Sequence, residues 1–114
     1  MESCVFCKII NREIPVEPVY EDEFVLAFND INPEAPIHVL LIPKVHVKNA
    51  LEIDKLPKDT MCRIMEATAE IAKKLEIDET GFRIVCNCGD DGGQTVEHLH
   101  YHLLGKRKFN WPPG

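Results

Sequence analysis

The chain has 114 residues, 45% of them hydrophobic and 28% charged, a composition that fits one globular domain able to bury its own core. Nineteen acidic against thirteen basic residues give a formal charge of −6, which argues against blanket electrostatic binding of DNA or RNA but leaves room for a small phosphorylated ligand held by backbone N–H groups. No run approaches the ~18 apolar residues of a membrane span, and the opening MESCVFCKII is too short and too charged for a secretory leader, so a cytoplasmic protein with no membrane partner is expected.

No repeat, low-complexity stretch or linker divides the chain, so residues 1–114 are expected to form a single domain. The segment CVFCKIINR (4–12) reads as a short helix, stopped before Pro15. PVYEDEFVLAFND (18–30) holds two strand-like runs with a turn at its acidic EDE, and INPEAP (31–36) is turn chemistry. IHVLLIP (37–43) is a buried strand broken at Pro43. One long helix is expected over 59–77, where Met61, Ile64, Met65, Ile71, Ala72 and Leu75 form an apolar stripe with Thr68 in its middle, and Asp59 or Thr60 caps the start. GFRIVCN (81–87) is a further strand, CGDDGGQT (88–95) a loop, and residues 96–104 a last strand. Short strands joined by turns, with one helix inserted among them, indicate an α+β fold on an antiparallel sheet.

EHLHYHLLG (97–105) places His98, His100 and His102 at every second position, so on a strand all three share one face and stand about 6–7 Å apart. Leu99, Tyr101 and Leu103 then face the core. A solvated strand face explains one such histidine more readily than three in register behind a glycine-rich loop. In that loop Gly89, Gly92 and Gly93 can turn successive N–H groups inward as an anion nest, while Gln94 and Thr95 add side-chain donors. A phosphate held there would lie within reach of an imidazole, which is a good nucleophile toward phosphorus when unprotonated. The middle ring, His100, has an imidazole on either side and is the best candidate.

CVFC (4–7) is a Cys-x-x-Cys with three readings: a redox pair, which wants a thioredoxin-like setting absent here; two buried thiols on a helix start; or half of a zinc site needing two more N or S ligands. Cys62, Cys86 and Cys88 read as packing.

HLHYHLL resembles the His-φ-His-φ-His-φ-φ signature of the histidine triad (HIT) family of nucleotide hydrolases and transferases. DINPEAPIHVLLIPKVH, GGQTVEHLHYHLLG and the terminal WPPG extend the resemblance over essentially the whole chain, and the tail is similar to that of the Hint branch, the purine nucleoside phosphoramidases. The resemblance implies a HIT fold: an antiparallel sheet of about five strands with one long and one short N-terminal helix, the sheet extended across a homodimer. It implies cleavage of purine nucleoside 5′-phosphoramidates through a nucleotidyl-histidine at His100, releasing the monophosphate. His102 would contact the α-phosphate or leaving group, and His38 would belong to the supporting hydrogen-bond network. Asn87, Gly93, Gln94 and Thr95 would surround the phosphate, Asp30 would bind the ribose with Ile31 beside it, and Val5, Phe6, Ile9 and Phe28 would form the base slot.

The resemblance also completes the cysteine site. Some bacterial members bind a structural zinc through residues matching Cys4, Cys7, His46 and the first triad histidine, His98, while the chemistry itself needs no cofactor. Trp111 would lie near the neighbouring subunit's pocket. Three departures stand out: Thr95 replaces the branch's usual serine, Glu97 occupies a usually aromatic or aliphatic place, and LLGKRK replaces a double glycine. The rival readings are a dinucleoside polyphosphate hydrolase, against which the WPPG tail argues, and a nucleotide- or zinc-binding regulator with incidental catalysis.

Overall fold

Five antiparallel strands form one sheet in the order β1-β2-β3-β5-β4, in a computed structural model that describes residues 3–114. The strands are β1 (Pro18–Glu21), β2 (Val25–Asn29), β3 (Ile37–Pro43), β4 (Phe82–Val85) and β5 (Tyr101–Gly105). The expected α+β class and five-strand antiparallel sheet are what the molecule has. β2 and β3 sit inside the sheet with both faces covered, which explains why VLAF and HVLLIP read as continuous apolar runs rather than alternating ones.

Alternation along these two strands divides the core. Val25, Ala27, Val39 and Leu41 meet the helix α2 (Thr60–Lys74) through Ile64, Ala67, Ile71 and Ala72. Leu26, Phe28, Leu40 and Ile42 point the other way and pack against Phe6 and Ile9 of α1 (Val5–Ile10). Each fully buried Ile or Leu in these layers contributes about 1.5–3 kcal/mol by leaving water. His38 shares the parity of Leu40 and Ile42, so it emerges on the α1 face.

Local chemistry sets the element boundaries. At the β1–β2 turn, Asp22 Oδ1 accepts the N–H groups of Phe24 (2.7 Å) and Val25 (2.9 Å). Cys4 caps α1 by accepting the Cys7 N–H on its sulfur. In α2, Asp59 takes the N-cap position without a side-chain hydrogen bond, and the Thr68 hydroxyl donates back to Ile64 O at 2.8 Å. The helix stops at Lys74, short of the expected residue 77, because Glu76 turns left-handed (φ 59°) and Ile77 N–H reaches back to Ala72 O. Met65, expected in the apolar stripe, is exposed; Ala67 takes the place nearest the sheet. A 3₁₀ helix at Ala50–Lys55 and a single α-turn, α3 (Gly89–Gly92), were not foreseen from the sequence.

Candidate active site and metal centre

The histidine segment is less regular than its alternation implies. Only 101–105 is ladder-paired strand; the chain bends through 96–98, and residues 98–100 lie outside the sheet, tied to the neighbouring segment by Leu99 N–H to Val47 O at 2.9 Å. The facing nevertheless holds. Leu99 packs with Val47 and Leu56, and Leu103 joins the α2 core, while His98 and His100 lie against Phe6 of α1. His98 and His100 are buried and His102 is half-buried.

Hydrogen bonds fix which nitrogen of each ring carries its proton, because a carbonyl can only accept and an amide N–H can only donate. His100 Nδ1 stands 2.8 Å from His98 O, so Nδ1 carries the proton and neutral His100 offers Nε2 as a bare lone pair. Glu34 N–H donates to His38 Nδ1 at 3.0 Å, so the His38 proton is on Nε2. That proton faces His102 Nδ1 at 2.9 Å, with Asp30 Oδ2 at 3.4 Å as a second acceptor. His102 Nδ1 therefore accepts, and its own proton sits on Nε2. The result is a nucleophile-ready nitrogen on His100 beside a proton donor on His102, the two rings 5.1 Å apart between centroids. Burial pushes the pKa of His102 down to about 4 and lowers that of His38, which keeps both rings neutral near pH 7.

These rings open onto a cleft of about 530 Å³. Its apolar wall includes Val5, Phe6, Ile9 and Phe28; Asp30 and Ile31 stand at another side; Thr95, His38, His100 and His102 complete it. The sequence-based base slot, ribose carboxylate and imidazoles are thus brought to one place, joined by Leu40, Ile14, Pro15 and Val16, which no motif in the sequence marks. Asn87 lies in a smaller recess behind His102, with Glu34, His38 and Val85.

Gly93 and Gln94 are placed differently. Gly89 and Gly93 do take positive φ (73° and 78°), but the N–H groups of Gly93 and Gln94 bond inside the loop, to Asp90 O and Gly89 O. The Gln94 amide closes the same loop, accepting from Gly89 N–H and donating to Lys48 O and Val96 O. These groups brace the loop; Thr95 is its member on the cleft.

A second cluster adjoins the first. Cys4, Cys7, His46 and His98 bring their donor atoms within 4.8 Å of one another. His98 Nδ1 is 3.4 Å from Cys4 Sγ, 3.6 Å from Cys7 Sγ and 3.0 Å from His46 Nδ1, and Cys7 Sγ is 3.3 Å from His46 Nδ1. Donors on one tetrahedral zinc, bound at about 2.0–2.3 Å, stand roughly 3.3–3.8 Å apart, so this set fits with little movement. Its second sphere fits as well: His98 Nε2 faces Pro43 O at 2.9 Å, which puts the proton there and leaves Nδ1 free to ligate. Asp30, His38 and His102 also converge, but the Glu34 N–H on His38 Nδ1 forces the proton onto the nitrogen a metal would need. In the cysteine cluster the one fixed tautomer, that of His98, leaves the ligating nitrogen free. With two thiols and two imidazoles it has no open position, so a metal there would be structural.

Residues 11–109 match the HIT domain family. A 14 kDa zinc-binding protein of Brassica juncea is 47% identical over 112 residues, covering 96% of this chain and 98% of that one. The adenylylsulfatase HINT1 of Arabidopsis thaliana is 46% identical, covering 96% of this chain and 76% of its own length. A HIT family hydrolase from Clostridium thermocellum superposes with a TM-score of 0.92 at 51% identity, over 96% of each chain. The chain belongs to the histidine triad (HIT) family.

Proposed function

We propose that the protein hydrolyses purine nucleoside 5′-phosphoramidates, adenosine derivatives in the first place, through a nucleotidyl-histidine at His100. One observation carries the reading: the His98 carbonyl holds the His100 proton on Nδ1, so the unprotonated Nε2 belongs to a ring lining a cleft with an apolar wall and a carboxylate. The purine would lie on Phe6, Ile9, Phe28 and Val5, with its ribose hydroxyls donating to Asp30 beside Ile31. Thr95, Asn87 and the Gly93–Gln94 loop would border the phosphate.

In the first step His100 Nε2 bonds to the α-phosphorus and the bond from phosphorus to the leaving nitrogen breaks. That nitrogen leaves as the amine by taking a proton from solvent, with His102 Nε2–H hydrogen-bonded to it and His38 Nε2–H holding that ring in place. In the second step a water oxygen bonds to phosphorus, the P–N bond to His100 breaks, and the water's proton passes to solvent. The cycle closes with the monophosphate released and His100 restored. The relative named adenylylsulfatase favours a second leaving group on the same machinery, since sulfate departing from an adenylyl sulfate needs the same attack by His100.

Zinc at Cys4, Cys7, His46 and His98 would hold α1 against the histidine segment and supply no chemistry to the reacting phosphorus. A homodimer joined through β4 accounts for that edge strand leaving Phe82 and Ile84 exposed, and a reducing cytoplasmic setting suits five free cysteines. No helix of the described residues is long and apolar enough to cross a membrane.

Turnover of adenosine 5′-phosphoramidate, followed by release of AMP, tests the proposal. His100→Asn should lower kcat by roughly 10³-fold or more while AMP still binds. Hydrolysis that survives in this variant would overturn it, and a partner effect that survives without hydrolysis would favour the regulator.

A further inference from the structure

The polarity of the His38–His102 pair depends on one backbone amide, backed by the Asp30 carboxylate 3.4 Å from His38 Nε2. If Glu34 N–H left His38 Nδ1, His38 could carry its proton there and accept on Nε2. His102 would then donate from Nδ1 and present a bare Nε2 toward the cleft, an acceptor where the proposed reaction needs a donor.

What holds Glu34 is a bond on its next peptide group, the one that carries its carbonyl. Arg107 donates Nε–H to Glu34 O at 3.0 Å, reaching across from the segment that follows β5. Its guanidinium is preorganised: it stacks on Phe109 at 4.2 Å from the ring centroid and donates to Lys108 O at 3.3 Å. Arg83 of β4 anchors the same segment, with its guanidinium 5.2 Å from the Phe109 centroid and a 3.0 Å bond to Asn110 O. We infer that Arg107 is a positioning residue for the catalytic histidines, acting through the backbone of Glu34 to fix the tautomers of His38 and His102. A lysine cannot replace it, because its ammonium has no stacking plane and no Nε–H at that point of the stem.

The test is to compare Arg107→Met and Arg107→Lys with the parent chain, by kinetics and by ¹⁵N spectra of the histidine rings. The kinetic half rests on the proposed reaction; the spectroscopic half does not. The parent should show a pyridine-type His102 Nδ1 and a pyrrole-type Nε2. Both variants should show these signals averaged toward each other, with kcat about three- to tenfold lower, the loss one hydrogen bond permits, and KM within about twofold. Arg107→Lys with full kcat would overturn the inference, since charge alone would then suffice. Unchanged ring spectra in Arg107→Met would overturn it as well, whatever the rate. A parent chain inactive on phosphoramidates but with Arg107-dependent tautomers would refute the proposed reaction and leave the positioning role standing.

Discussion

The Phe6 ring meets the His100 ring edge to face, with centroids 5.2 Å apart and planes at 82°. The same phenyl ring contacts His98 at 5.8 Å and Phe28 at 5.7 Å, so one side chain of α1 touches the candidate nucleophile, a candidate zinc ligand and the apolar wall. The candidate metal centre and the cleft therefore share a structural element.

Removing zinc should then cost more than stability. The chain is expected to bind one equivalent of zinc, and Cys7→Ser to lose it. Metal-free protein should melt at lower temperature and bind AMP about tenfold more weakly, because α1 carries Val5, Phe6 and Ile9 into the cleft. Calorimetric titration of AMP into loaded and chelated protein checks this; equal affinities would mean that α1 is held without the metal.

Stability should fall with acid in a window set by His102. Burial first, then the neighbouring His100 and His38, push its pKa from 6.5 down to about 4, against the opposing pull of Asp30. The unfolded chain binds this proton near pH 6.5 and the folded chain only near pH 4, so stability is level above about 6.5 and declines as pH drops toward 4. The loss from this one group is roughly 2–3 kcal/mol. His102→Gln should lessen the slope of that part of the urea-midpoint profile, with His98, whose pKa burial also pushes down to about 4, retaining the rest; an unaltered slope would show that the folded His102 ring titrates like the unfolded one.

Gly105 and Lys106 explain one departure from the family pattern in opposite ways. A Cβ on Gly105 would stand 2.9 Å from Ile77 Cδ1 and 3.0 Å from its Cγ2, so Gly105→Ala should destabilise by about 1–3 kcal/mol. Lys106 occupies the second position of the replaced double glycine and keeps a left-handed φ of 70°. Lys106→Gly should therefore raise stability, by about 1 kcal/mol. Thermal unfolding of the pair reads both signs.

Much of this was legible because the signals were local. Alternation placed His98, His100 and His102 on one face, and it did so although only His102 belongs to a paired strand. The apolar run 37–43 announced a buried strand. What escaped were properties of the assembled molecule. Met65 has helical spacing but lies outside the arc the sheet covers, which Ala67 fills. The glycine loop looked like an anion nest, yet the donors of Gly93 and Gln94 bind their own loop. Proton placement on His38 comes from a Glu34 amide that no motif marks, and Arg107 reads as one charge in KRK until its bond to Glu34 is seen.

The most direct test is chemical trapping of the intermediate. Rapid quenching during turnover of adenosine 5′-phosphoramidate, followed by peptide mapping, should recover an adenylyl group on the peptide containing His100, and none in His100→Asn. An adenylyl group on another residue, or steady hydrolysis with no adenylated peptide at any quench time, would contradict the account.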